Sequence, residues 1–244
     1  MWPNPYRTPV VWLALGSWAL ALAACGGGQG SETTPAPTVD RLLDFAGSTN
    51  CTGADADYTA STAPTNTVSG ATSLPAPFAG SGWRLSGTNR SDDLFIYVKC
   101  KLTGLQAGQT YRAGFSVTML TDAPTGCIGV GGAPGEGVTL HAGVSNIEPL
   151  TQLQNSGYYR VNLDRGNQSV GGSQSQALGH IGNGVSSCSQ RQFAEKTLAP
   201  AALLLVQANA QGEVWLHTGI DSGFESYSEV YLRQVSVRFS ASTP

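Results

Sequence analysis

The chain has 244 residues, a formal net charge of −3 and only 12% charged residues. With no run of Lys or Arg, it lacks the electrostatic footprint of a nucleic-acid or anionic-lipid binder. Its length allows one large or two small domains, and an all-β sandwich with long loops fits as one.

The first 24 residues hold a single charge, Arg7, followed by an apolar run from Val10 to Ala24. A basic start, a short apolar core and small residues at a cut point describe a secretory signal over residues 1–24. The run is broken by Gly16 and Ser17 and falls short of the roughly 20 residues that span a bilayer. Its end, Leu22-Ala23-Ala24-Cys25, resembles the lipobox of bacterial lipoproteins. The resemblance implies cleavage before Cys25 and palmitate-type acylation of its thiol and new amine, so that the mature protein is held to a membrane. Gly26 stands where a sorting Asp would retain a Gram-negative lipoprotein at the inner membrane, so the resemblance implies the outer membrane in such a host. From Cys25 to Asp40 the chain reads as a lipidated tether, rich in Gly, then Thr and Pro. Its 15 residues after the cysteine have a flexible-coil reach of about 20 Å.

Residues 41–244 read as one antiparallel β-sandwich with long loops. Arg41–Phe45 is the expected first strand, and residues 47–82, rich in Ser, Thr, Ala, Gly and Pro, form an irregular excursion with at most short strands. Leu94–Leu102 alternates clearly, with Leu94, Ile96, Val98, Cys100 and Leu102 on one face. After a turn at 105–109, Tyr111, Ala113, Phe115, Val117 and Met119 alternate again, which predicts a hairpin. Val138–Val144 and Tyr158–Leu163 are further strands. Leu203–Ala208 and Val214–Thr218 flank Asn209-Ala210-Gln211-Gly212 as a second expected hairpin, and Val230–Phe239 closes the domain. Gln192–Leu198 is the one short helix candidate, stopped by Pro200.

Cys51, Cys100, Cys127 and Cys188 are even in number and lack a C-x₂₋₄-C pair, so two disulfides are favoured over zinc. Three pairings are open. Cys51–Cys100 with Cys127–Cys188 is preferred, because the first link would staple the early excursion to a firm strand.

Leu102 to Tyr111, followed by an alternating strand, resembles the central hairpin of galactose-binding-like jelly rolls, a fold that includes many bacterial carbohydrate-binding domains. Those modules often carry an acidic residue beside a structural calcium in the last strand, where this chain has Arg233. Residues 89–94, 126–145, 164–168 and 219–225 resemble a family of secreted bacterial proteins of unknown function, which implies no activity.

Candidate chemistry is sparse. Residues 122–137 hold six glycines in the last twelve positions, without a dinucleotide or P-loop pattern. They read as a crossover between sheets pinned by Cys127, or as a cradle for an anion or sugar. Asp92, Asp93, Glu136 and Asp221 are the candidate ligands of a structural Ca²⁺, a hard cation that wants six to eight oxygens. Asp164 and Glu225 also sit in turns. A converging pair of carboxylates would instead suit glycoside hydrolysis, while the plain reading is that these residues shape turns. His141, His180 and His217 are isolated, and no G-x-S-x-G elbow occurs. Trp83, Tyr97, Tyr158, Tyr159 and Tyr227 are candidate stacking platforms. No catalytic residue and no cofactor beyond that calcium is assigned. The favoured class is a non-catalytic binding or envelope-associated module, with glycans as one ligand class. The alternatives are a carboxylate-dependent hydrolase and an assembly partner of another envelope protein.

Replacing Cys25 by Ser is expected to leave an uncleaved or soluble precursor. Membrane fractionation checks this, and unchanged membrane recovery would sink the lipoprotein reading.

Overall fold

The computed structural model describes residues 37–47 and 50–242. Cys25 and the lipobox lie outside the described residues. The strands in chain order are β1 (Thr38–Asp44), β2 (Cys51–Ala56), β3 (Tyr58–Thr59), β4 (Thr65–Ser73), β5 (Ser81–Thr88) and β6 (Leu94–Leu102). Then come β7 (Thr110–Thr121), β8 (Val138–Ser145), β9 (Thr151–Leu153), β10 (Tyr158–Val161), β11 (Gly166–Asn167) and β12 (Val170–Gly171). The last are β13 (Ser175–His180), β14 (Ala194–Leu198), β15 (Leu204–Gln207), β16 (Val214–Ser222) and β17 (Tyr227–Ala241).

Two antiparallel sheets face each other, as the alternation leads one to expect. The larger runs β14-β7-β17-β5-β4, with β1 also on β17 and β15 also on β7. The smaller runs β13-β8-β16-β6-β2. Period-2 side-chain alternation sends Phe115, Val117, Met119, Val235, Val237 and Phe239 inward from the first. Ile96, Val98, Leu140, Val144, Leu216 and Ile220 meet them from the second, in one buried cluster. Fully burying side chains of this size stabilises by roughly 1.5–3 kcal/mol each, so these rows fix which way every strand faces.

The register corrects both expected hairpins. β6 pairs with β2 and β16, while β7 pairs with β14, β15 and β17. The segment between β6 and β7 is therefore an arch from one sheet to the other. The 209–212 turn likewise carries β15 in the larger sheet to β16 in the smaller. Alternation reports which face of a strand is buried, and an arch leaves the same pattern as a hairpin. The two arches support each other: Leu105 N–H donates to Gly212 O at 3.0 Å, and Gly108 N–H to Ala208 O at 3.2 Å.

Three further expectations change. Residues 47–82 hold β2, β4 and the start of β5 rather than an irregular excursion. Their small polar residues suit β4, an edge strand with a register shift between Thr65 and Val68. Residues 194–198 form β14, not a helix, because the edge of β7 takes up their backbone groups. β1 begins at Thr38, inside the expected tether, since Thr38 and Val39 find partners in Ser240 and Phe239.

β17 orders the poles. At its start lie the Gly-rich loop and the β16–β17 turn, joined by Gly223 N–H to Gly137 O at 2.9 Å and Glu225 N–H to Val130 O at 2.9 Å. At its end lie the entry of β1 and the start of β7, where Ser242 N–H donates to Thr110 O at 2.8 Å.

Both disulfides take the preferred pairing. Cys51 and Cys100 sit opposite each other on β2 and β6 with Cα atoms 4.3 Å apart. Cys127 and Cys188 join two surface loops across 5.8 Å. Removing the first bridge as Cys51→Ala with Cys100→Ala is expected to lower stability by about 2–4 kcal/mol. A urea unfolding midpoint reads the loss, and an unshifted midpoint would contradict it.

Candidate functional site

On the outer face of the smaller sheet, Phe95 and Tyr97 of β6, Asp221 of β16 and His141 of β8 all point away from the core and are nevertheless buried. The chain between β8 and β13 covers them, and Arg165 in that cover is its fastening. Its guanidinium lies 4.5 Å from the Phe95 ring centroid and makes close ion pairs with Asp57 and Asp221. Arg160 bridges Asp57 and Asp93, at 2.8 Å to each. Gln168 N–H donates to Asp221 at 2.6 Å, and Gln168 O accepts from His141 Nε2 at 2.6 Å. Burial pushes the Asp93 and Asp221 carboxyls up from the usual range, against the opposing pull of the arginines.

The four candidate calcium ligands are not gathered at one point. Asp93 and Asp221 do converge, but with Asp57, and around two guanidiniums that occupy the place of a cation. Glu136 instead accepts from Gly126 N–H at 2.9 Å and closes its own loop. Asp92 takes φ 61°, and its backbone carbonyl accepts from Gln168 Nε2 at 3.0 Å. Among the described residues, no group of three or more His, Cys, Asp or Glu is placed to hold a metal ion. Asp164 caps a turn through Ser173.

The open site lies at the pole where β17 begins. A cleft of about 350 Å³ is lined there by the Gly-rich loop, the 188–191 segment and the β16–β17 turn. The Cys127–Cys188 bridge crosslinks two of those walls. Glycine is required on the third side: a Cβ at Gly129 would meet the Phe224 ring at 2.4 Å. Gly131, at φ +72°, sits where a Cβ would strike Gly223 O. The loop thus folds flat onto the turn and leaves Ile128 wholly exposed at the rim.

Phe224 and Tyr227 give the cleft its aromatic surface. Two ion pairs flank them. Arg191 closes on Asp122, with its guanidinium 5.7 Å from the Tyr227 ring centroid. Arg84 reaches Glu229 at 2.8 Å and the Tyr227 hydroxyl at 2.7 Å, and that hydroxyl donates to Glu229 at 2.6 Å. Burial raises the Glu229 carboxyl, but the bonds from Tyr227 and Arg84 outweigh it and hold it below its usual range.

Of the five candidate platforms, only Tyr227 lines this cleft. Trp83 is buried, with its indole N–H on Ser69 Oγ at 2.9 Å. Tyr97 is buried in a stack with Phe95, centroids 5.0 Å apart. Tyr159 stacks on Tyr58 at 5.2 Å, and Tyr158 lies under the Arg160 guanidinium at 4.9 Å. Arg84, Arg191, Phe224, Ser228 and Glu229 carried no sequence signal as site residues, because the pole that gathers them is built by three distant segments.

No family model and no curated protein matches the chain. Among solved structures it is similar to the mannan-recognising carbohydrate-binding module TmCBM27, at 10% identity over 85% of this chain and 100% of that one, with a TM-score of 0.38. It is similar to the xylan-binding module CBM15 at 10% identity, over 85% and 100% of the two chains, with a TM-score of 0.35. It is also similar to the enzymatically active domain of tailspike protein 4 of bacteriophage CBA120, at 10% identity and a TM-score of 0.33. That match covers 82% of this chain and 20% of the tailspike chain. At these identities and scores the likeness is one of β-sandwich architecture and carries no argument about a ligand.

The buried cluster makes a pH test. Burial holds the His141 imidazole down to about 4 and the His217 imidazole down to about 3, so both are neutral in the folded protein at pH 7. The unfolded chain takes up these protons near pH 6.5, so their effect is absent above that pH. Stability then falls as the pH drops from 6.5 toward 4. Neither ring nitrogen of His217 has a hydrogen-bond partner among the described residues, so His217→Met is expected to fold. It should recover about 2 kcal/mol at pH 4.5 and little at pH 7, as read from urea midpoints at the two pH values.

Proposed function

We propose that the protein is a lipid-anchored, extracytoplasmic binding module without catalytic activity, which takes a glycan in the cleft at the start of β17. The observation that carries this reading is the cleft itself. It places aromatic surface, Phe224 and Tyr227, beside the polar side chains Asp122, Arg191, Ser228 and Glu229, the combination that apolar sugar faces and sugar hydroxyls require together. The two disulfides support an oxidising compartment. The lipobox at Cys25 and the glycine after it support a membrane anchor, at the outer membrane in a Gram-negative host. The hydrolase alternative is less favoured, because both carboxylates lining the cleft are held by arginines, whereas a general acid needs a proton to give. Exposed Ile128 and Val130 on the rim favour, as a second reading, contact with another envelope protein.

Affinity electrophoresis in gels containing soluble polysaccharides tests the proposal. At least one polysaccharide should retard the protein, and Tyr227→Ala should weaken that binding about tenfold, as loss of a central aromatic contact does. A protein retarded by none of them would rule the glycan reading out.

A further inference from the structure

The outer face of the larger sheet is bare at one end. Thr38 of β1, Ser240 of β17, Arg112 of β7 and Leu205 of β15 stand side by side in one row across four strands. The next row is Asp40, Arg238 and Gly114, and the one after it is Leu42, Ser236 and Ser116. The Leu203 side chain lies over Gly114, where a Cβ would meet it at 2.9 Å. Gly114, Ser116 and Ser236 floor a groove of about 420 Å³ in the middle of this face, so the leucines stand proud around it. Leu42 is 64% exposed, Leu203 54% and Leu205 62%. A lone exposed leucine means little, but three within three rows of one face mark a contact surface. Asp40 and Arg238 neutralise each other. Arg112, directly opposite Leu205, is exposed and makes no ion pair among the described residues.

The point where the chain enters the fold indicates what covers this face. Thr38 belongs to the first of these rows, and twelve residues lie between it and Cys25. A flexible coil of that length reaches about 19 Å. Leu42 is four residues along β1, about 13 Å from Thr38, and Leu205 is three strand spacings away, about 14 Å. A lipid surface that holds Cys25 can therefore meet all three leucines, at the high effective concentration that a short link imposes. The chemistry suits such a surface. Leucines on a polar face enter the boundary between headgroups and acyl chains, and Arg112 can lay its stem along Leu205 while its guanidinium meets a phosphate. A contact of this kind does not need a run of basic residues, which the chain lacks.

We propose that Leu42, Leu203 and Leu205 dock on the phospholipid surface to which Cys25 is anchored, so that the sandwich leans on its larger sheet instead of swinging freely on its tether. This rests on the lipid-anchor reading above and goes beyond it. The cleft, at the far end of β17, is then held at a fixed attitude to the membrane.

The experiment uses the full-length chain, purified with its anchor and reconstituted into vesicles of phosphatidylethanolamine and phosphatidylglycerol that carry a spin-labelled phospholipid. A nitrobenzoxadiazole dye is attached at Gln207→Cys, two residues beyond Leu205 on the same face of β15, or at Val170→Cys, exposed on the cover of the smaller sheet. Dye at position 207 is expected to be quenched at least about threefold more than dye at 170, because the leucines bring it to the headgroup boundary. Leu42→Ser, Leu203→Ser and Leu205→Ser together should bring the two positions level without shifting the melting temperature, since exposed side chains add little to stability. Equal quenching at both positions, in a protein that floats with the vesicles, would overturn the docking and leave the anchor standing. Shielding of position 207 that ignores the spin label and grows with protein density would place a second copy on the face, and would overturn it too. A protein that does not float with the vesicles would refute the anchor and the docking with it.

Discussion

The larger sheet depends on β17 being paired along both edges over most of its length. β7 runs beside it from Val230 to Ala241 on one edge. On the other, β5 takes Tyr227 to Leu232 and β1 takes Gln234 to Ser240. Two strands can share that edge because the register with β7 shifts between Leu232 and Gln234, so that Arg233 stands out of the ladder. Its side chain then closes on Glu195 of β14 on the outer surface. With β17 fixed, Val230, Leu232, Val235, Val237 and Phe239 all face the core. The turn before the strand delivers Phe224 and Tyr227 to one pole. The cleft is in this sense the overhang of a strand whose position is set elsewhere by packing.

The smaller sheet solves a different problem. Its outer face carries Phe95, Tyr97, His141, His217 and Asp221, a mixture that neither water nor a plain apolar cover would satisfy. The answer is a cover that brings its own cations. Arg165 lays an apolar guanidinium face on Phe95 and spends its edges on Asp57 and Asp221. Removing one partner from such a buried set costs about 3–5 kcal/mol. The arrangement therefore makes the cover hard to lift.

Much of this was legible in the residues. The β-class and the inward rows of β6 and β7 follow from alternation, the oxidising context favours two disulfides, and the pairing preferred for stapling the early segment to β6 is the one found. What alternation leaves out is partnership. β6 and β7 show the same pattern whether they pair or face each other across the core, and the arch at 103–109 became visible only in the register. β4 was read as part of an irregular excursion and β14 as a helix candidate, because edge strands need few apolar residues. The carboxylates were harder still. Of the four expected calcium ligands, Asp93 and Asp221 meet at Arg165, and the stretches that resemble a secreted family include both of them with Arg165. Their counter-charges come from Arg165, 56 residues before Asp221, and from Arg160, 67 residues after Asp93, both shared with Asp57, and no local spacing signals such a meeting. Arg191 in the cleft wall and Arg84, which reaches Glu229 behind it, lie in segments without any motif.

The entry of the chain into the fold has a mechanical meaning. Thr38 pairs with Ser240 at one pole, while Tyr227 lies at the other, a full β17 away, or about 50 Å for 15 residues. Tension applied to the chain ahead of Thr38 and resisted at the cleft therefore runs parallel to β1 and β17. The seven paired positions from Thr38 to Asp44 would bear that load together, in shear, instead of opening one after another as a zipper does. A seven-residue ladder loaded along its axis must slip as a unit, carrying Val39 and Leu43 off the core, before the sheet gives way.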